Sequence, residues 1–76
     1  MRKLFAFDTR IGTFFIVEEA GQFHPMFKNE RLGSYDSAQL AAEELADGNT
    51  GTVAEVEDTS ELRIPYDLDE WEHLEE

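Results

Sequence analysis

The chain has 76 residues, of which 18 are acidic and 6 are lysine or arginine, and its formal net charge is −12 at pH 7. This length supports one small domain with a thin core, and the negative charge disfavours direct binding to nucleic acid, which needs positive charge to displace counterions. Cysteine is absent, which excludes disulfides and thiolate metal sites and leads us to expect a cytoplasmic protein. No apolar run approaches the ~20 residues of a membrane span, so no membrane partner is expected.

The charge is distributed unevenly along the chain. Residues 1–33 carry a net charge of +1 and residues 34–76 carry −13. Solubility alone explains such acidity in many proteins. The alternatives are binding to a basic partner and imitation of a polyanion such as nucleic acid.

The first third of the chain predicts three strands, at residues 3–8, 13–18 and 22–27. Its central feature is the apolar run at residues 14–17, whose side chains alternate between the two faces of a sheet and make both faces apolar. Residues 9–12 suit a hairpin loop in which Gly12 can take a positive φ. Pro25 lacks an N–H group, which predicts that the third strand lies at a sheet edge or a bulge.

A helix is predicted next, over residues 37–47. Asp36 is the expected N-cap, Gln39 completes a capping-box pattern with it, and Gly48 ends the helix. Leu40 falls on the polar side of this helix, and we interpret it as a hydrophobic staple against Tyr35. The apolar face is mostly alanine, which allows close packing on large sheet side chains; it consists of Ala38, Ala41, Ala42 and Leu45.

Residues 52–57 suit a fourth strand, and an acidic tail follows. In the tail, Leu62, Ile64 and Tyr66 alternate as in an extended segment, and residues 67–70 form a second capping-box pattern that predicts a short helix. The side chains that we predict as partner-binding residues are Tyr66, Leu68, Trp71 and Leu74.

The predicted fold is α+β: a small antiparallel sheet of three or four strands in the order β-β-β-α-β, with one Ala-rich helix packed on one face. Residues 1–58 form the single domain, and residues 59–76 form an acidic C-terminal tail that contains a short helix. The sequence leaves open whether the tail packs back on the sheet. A free tail would leave the second sheet face to a protein partner or to a second copy of the chain.

Few residues offer catalytic or metal-binding chemistry. The chain has 2 histidines and no cysteine, and both His24 and His73 are interpreted as structural or surface residues. The abundant carboxylates are most simply solvated faces, because acid–base catalysis also requires a partly dry, concave site. We therefore predict no enzyme, no cofactor, and no catalytic or metal-binding residue.

Three functions remain as hypotheses. The first is a small acidic, non-catalytic domain for protein–protein interaction or regulation, in a pathway that the sequence does not identify. The second is a polyanion mimic that occupies a basic surface. The third is single-strand nucleic-acid binding, in which bases would stack on the aromatic residues of the sheet.

Overall fold

The computed structural model describes residues 2–51 and 59–74, which form an α+β fold with one helix and a five-stranded antiparallel sheet. The strands follow the order β4-β3-β2-β1-β5 across the sheet. The elements are β1 (Arg2–Thr9), β2 (Gly12–Glu19), β3 (Gln22–Phe27), β4 (Glu30–Arg31), helix α1 (Ala38–Asp47) and β5 (Glu72–His73).

The sheet has more strands than the three or four that the sequence predicts. Both additional strands, β4 and β5, are only 2 residues long, so neither shows the alternating pattern by which strands are recognised. The strand predicted at residues 52–57 lies outside the described residues.

The hairpin between β1 and β2 forms as the sequence predicts. Gly12 begins β2 with a φ of +138°, in a region that side-chain-bearing residues rarely adopt. A Cβ atom at Gly12 would also lie 3.1 Å from the ring of Phe27. Glycine is therefore required at this corner by both the backbone and the packing.

The strand register places most of the phenylalanines of the sheet on one face. Phe7 pairs with Phe14, and Phe14 pairs with Phe27, so these three side chains share a face. The helix packs on this face and forms one apolar cluster with it. The buried members of the cluster are Phe14, Ile16, Phe27, Leu32, Ala41, Ala42, Leu45, Ala46, Ile64 and Trp71.

The side chains on the opposite face of the sheet are also mostly buried. Its central row is Ala6, Phe15 and Met26, and Val17 lies beside Phe15 with 1% of its surface exposed. The ammonium group of Lys3 lies 4.5 Å from the centre of the Phe15 ring, which places a charged side chain over the apolar row.

Pro25 lies in β3, where the missing N–H group has a visible consequence. The Leu32 N–H donates to the Pro25 carbonyl at 2.8 Å, but Pro25 cannot return a hydrogen bond to Leu32. The Leu32 carbonyl instead accepts from Gly51 at 2.7 Å. One extra residue lies between Leu32, which is opposite Pro25, and Tyr35, which pairs with Phe23. The irregularity fits the predicted bulge, whereas β3 lies between β2 and β4 and is not an edge strand.

The helix begins one residue later than the sequence indicates. The N-cap is Ser37, whose Oγ accepts from the Leu40 N–H at 3.1 Å, and the prediction of Asp36 as the cap is wrong. Gln39 therefore occupies the second helical position, and the Tyr35–Leu40 spacing no longer corresponds to a hydrophobic staple. The predicted C-terminal stop is confirmed: Gly48 has a φ of 77° and donates to the last turn.

The described part of the tail packs on the same face of the sheet as the helix. Trp71 is 3% exposed, and its ring centre lies 5.7 Å from that of Phe7. The N–H of Leu74 donates to the Leu4 carbonyl at 2.9 Å, next to the pairing of β5 with β1. The tail has two short 3-10 helices, Thr59–Leu62 and Leu68–Glu70, and the second begins after its N-cap Asp67, within the segment where a short helix is predicted.

Candidate interaction surface

Two large apolar side chains stand exposed within the part of the chain that the structure describes. They are Leu40, which is 38% exposed, and Tyr66, which is 54% exposed. Leu40 belongs to α1, and Tyr66 lies on the tail segment beside that helix. Tyr66 is hydrogen-bonded to Gln39 and Asp47 of α1, the helix that carries Leu40, and exposed apolar groups on one side of a molecule are candidates for contact with a partner.

The helix places Leu40 and two acidic side chains on its outer side. Glu43 and Asp47 follow Leu40 by three and seven residues, which brings all three onto one stripe. The buried residues Ala41, Ala42 and Leu45 lie on the opposite side of the helix, against the sheet. We refer to Leu40, Glu43, Asp47 and Tyr66 as the Leu40–Tyr66 surface.

Gln39 fixes the tail against the helix beside this surface. Its Nε2 donates to the Tyr66 carbonyl at 2.8 Å and to the Glu43 carboxylate at 3.0 Å. Its Oε1 accepts from the Leu68 N–H at 3.5 Å. Because the cap lies at Ser37, the Gln39 amide is free to bind the tail rather than the backbone at the helix N-terminus.

The Tyr66 side chain runs along the helix and is held at its far end. Its hydroxyl donates to the carboxylate of Asp47, the last residue of α1. This hydrogen bond, together with the negative charge of Asp47, raises the pKa of the Tyr66 phenol above its ordinary value of 10.0. The residue is therefore held at its backbone carbonyl and at its hydroxyl, while more than half of its surface is open to solvent.

The electrostatics of the surface are negative and uncompensated. Within the described residues, Glu43 and Asp47 accept hydrogen bonds from neutral groups and neither is paired with a basic side chain. The ion pairs described by the structure belong to the sheet and join Arg2 to Glu18 and Arg31 to Glu19. The helix thus presents carboxylates that a cation from outside can approach.

The four residues predicted to bind a partner do not lie together on the surface. Tyr66 is exposed, Leu68 and Leu74 are half-buried, and Trp71 is buried in the core cluster. Trp71 also donates its indole N–H to the Pro65 carbonyl at 3.1 Å. Of the four, Tyr66 has the side chain most available to another molecule.

Sequence reasoning missed Leu40, Glu43 and Asp47 as parts of this surface. One signal was present, because Leu40 is an apolar residue on the polar side of an amphipathic helix. The exposure of Leu40 was instead explained by a hydrophobic staple against Tyr35, so Leu40 was not considered as a binding residue. The adjacency of Tyr66, which comes from a distant part of the chain, had no signature in the sequence.

Other sites offer less. His24 is buried, and its Nδ1 lies 3.1 Å from the Gly33 carbonyl and 2.9 Å from the Ser34 hydroxyl. His73 is exposed and donates from Nε2 to the Leu68 carbonyl at 3.0 Å. Across residues 2–51 and 59–74 we find neither an enclosed cavity nor a group of three side chains able to hold a metal ion. The same residues include no helix long and apolar enough to cross a membrane.

Comparison with known proteins adds no relative from which a role can be transferred. No family model, no curated protein and no solved structure matches the chain. The Leu40–Tyr66 surface is therefore interpreted from its own geometry and charge.

Proposed function

We propose that the protein is a small non-catalytic interaction domain, and that it binds a protein partner through the Leu40–Tyr66 surface. The observation that supports this most directly is the position of the two exposed apolar side chains beside unpaired carboxylates of α1. Protein interfaces commonly combine an apolar centre with a polar rim, and tyrosine is enriched among the residues that contribute most to binding.

Affinity capture from extracts of cells that produce the protein tests this role. The bait is the full chain in four forms: wild type, Leu40→Ser, Tyr66→Ser, and the control Asn29→Ser on the exposed turn between β3 and β4. Circular dichroism checks that all four forms are folded. Proteins retained by wild type and by the control, but not by the two surface variants, are then purified and their affinities measured by calorimetry.

We expect at least one retained protein to bind wild type directly and to lose most of its affinity for both surface variants. If every variant retains the same proteins, or if the purified proteins do not bind, the proposed role of this surface is wrong.

A second candidate function is imitation of a polyanion. The supporting observation is that, among the residues that the structure describes, Glu43 and Asp47 have no basic partner, whereas the ion pairs of Glu18 and Glu19 lie in the sheet. Such a domain would associate rapidly with a basic protein, and its affinity would fall as salt rises. The test is competition: duplex DNA should displace the domain from the captured partner. A partner that binds both at once, with an affinity indifferent to salt, contradicts this function.

Single-strand nucleic-acid binding receives the least support. Phe5, Phe7 and Phe23 pack against the core cluster that contains Phe14 and Phe27. Phe15 is the phenylalanine left on the opposite face, and the Lys3 side chain lies over its ring. One partly covered ring is a poor stacking platform for successive bases.

A further inference from the structure

We propose that the Leu40–Tyr66 surface recognises a protein segment that presents an arginine next to an aliphatic side chain. This inference rests on the interaction role proposed above and specifies the chemistry of the partner. The guanidinium would stack on the open side of the Tyr66 ring and approach the carboxylates of Glu43 and Asp47, while the aliphatic group covers Leu40.

The sign of the local charge excludes several occupants. Nucleic acid and anionic membranes carry the same charge as Glu43 and Asp47, so both are repelled from this side of the helix. A second copy of the chain would bring the same carboxylates face to face, which is unfavourable for a symmetric contact. The complementary occupant is a cationic segment of a different protein.

The geometry of Tyr66 favours arginine as the cation. Tyr66 is 54% exposed, its backbone carbonyl accepts a hydrogen bond from Gln39, and its hydroxyl donates one to Asp47. A ring already held in position loses little freedom when a ligand binds. Guanidinium is planar, stacks on aromatic rings and is more weakly hydrated than the ammonium group of lysine.

The carboxylates near the ring add to this preference. Glu43 receives one hydrogen bond from Gln39, and Asp47 receives one from Tyr66. Each carboxylate can accept further hydrogen bonds, because its two oxygens offer about four acceptor sites. A guanidinium over the ring can therefore donate to these oxygens in addition to stacking, and such charge-assisted hydrogen bonds are the stronger kind.

Leu40 is the reason why we expect the bound segment to carry an apolar side chain as well as a positive charge. It is 38% exposed and lies on the same helical stripe as Asp47. An arginine with only polar neighbours would leave this apolar surface in contact with water. A neighbouring aliphatic side chain would remove it from water, so the favoured segment is both basic and apolar.

Titration of ¹⁵N-labelled full-length protein with short blocked peptides tests the proposal. The probe peptide alternates arginine and leucine. One comparison peptide has lysine in place of arginine, and another has glycine in place of leucine. We expect the probe to shift the amide signals of Leu40, Glu43, Asp47 and Tyr66 most strongly, and both comparison peptides to bind more weakly.

Variants at Tyr66 separate stacking from general charge attraction. Tyr66→Phe retains the ring and should preserve the preference for arginine over lysine. Tyr66→Leu retains apolar area without the aromatic face, and we expect it to weaken binding of the arginine peptide about two- to fivefold. A Tyr66→Leu variant that binds the arginine peptide as tightly as wild type overturns the proposal.

Equal binding of the arginine and lysine peptides, with signal shifts spread over distant carboxylates such as Asp36 and Glu61, also overturns it. The capture experiment distinguishes this failure from failure of the proposed function. If Leu40→Ser still abolishes capture of a partner while the arginine preference is absent, only the assignment of partner chemistry is wrong. If both results are negative, the interaction role of the surface is wrong as well.

Discussion

The indole of Trp71 donates its Nε1 hydrogen to the carbonyl of Pro65 at 3.1 Å, while its ring packs beside Phe7 in the core. The one polar group of this large side chain is thereby satisfied where the ring is buried. The tail between Pro65 and Trp71 becomes a closed loop. That loop carries Tyr66 on its outer side. The burial of Trp71 therefore helps to hold Tyr66 in its exposed position.

Replacing Trp71 tests how much the tail contributes to the fold. Trp71→Ala should lower the free energy of unfolding by about 3–5 kcal/mol, because it removes a buried aromatic ring and leaves a cavity. The measurement is urea denaturation followed by circular dichroism. The control, Leu40→Ala, removes an exposed apolar side chain and should change the free energy by less than about 0.5 kcal/mol. Similar effects of the two substitutions would show that the tail does not stabilise the core.

Gln39 should control the local order of the tail more than the global stability. Gln39→Ala removes the hydrogen bonds to the Tyr66 carbonyl and the Leu68 N–H, at a net cost of about 1 kcal/mol. Hydrogen exchange at the Leu68 amide should become faster. The matched control is Glu43→Ala, which removes one partner of Gln39 and leaves both tail hydrogen bonds intact. If exchange at Leu68 responds equally to both substitutions, Gln39 has no specific role in holding the tail.

The identity of the helix cap can be tested with two adjacent substitutions. Ser37→Ala should destabilise the protein by about 0.5–2 kcal/mol, because the Leu40 N–H loses its acceptor. Asp36→Ala should have a much smaller effect, since Asp36 lies outside the cap. Thermal unfolding of both variants gives the comparison. A larger loss for Asp36→Ala would place the cap where the sequence pattern indicated.

The contact between Tyr66 and Asp47 makes a specific prediction about pH. Because the pKa of Tyr66 is raised in the folded state, the contact stabilises the protein at pH values below the unfolded pKa of about 10. This stabilisation is lost as the pH rises through the folded pKa.

Absorbance titration of tyrosinate checks this prediction. Asp47→Ala should lower the pKa of Tyr66, because it removes both the hydrogen bond and the charge. Burial and the charge of Glu44 raise the pKa of Tyr35, so this second phenol should be unaffected and serves as an internal control. If no tyrosine titrates earlier in Asp47→Ala, the contact is not formed in solution.

The features that the sequence predicted are those determined by neighbouring residues. The alternation in residues 22–27 predicted Phe23 and Phe27 on one face and His24 and Met26 on the other, and the register agrees. Gly12 and Gly48 marked a hairpin corner and a helix end, because few residues other than glycine adopt a positive φ. Such patterns can be read without knowledge of distant contacts.

The features that escaped prediction depend on distant parts of the chain. Asp36 and Ser37 are nearly equal as capping residues, and the sequence pattern alone gave the wrong choice between them. In the structure Ser37 is the N-cap, and Gln39 forms hydrogen bonds to the tail at Tyr66 and Leu68. The strands β4 and β5 exist because they align with β3 and β1 in space. The candidate surface combines Leu40 with Tyr66 and depends on the same long-range docking.

The absent N–H of Pro25 also determines how the chain returns from the helix to the sheet. Because the Leu32 carbonyl receives no hydrogen bond from Pro25, it is free to bind Gly51, and the segment that contains α1 begins and ends at one hydrogen bond. The segment is thus a closed excursion from the sheet edge, with the proline at its base. Any other residue at position 25 would supply a competing donor for the same carbonyl. The proline therefore leaves the Leu32 carbonyl to Gly51 alone, at the point where the segment closes.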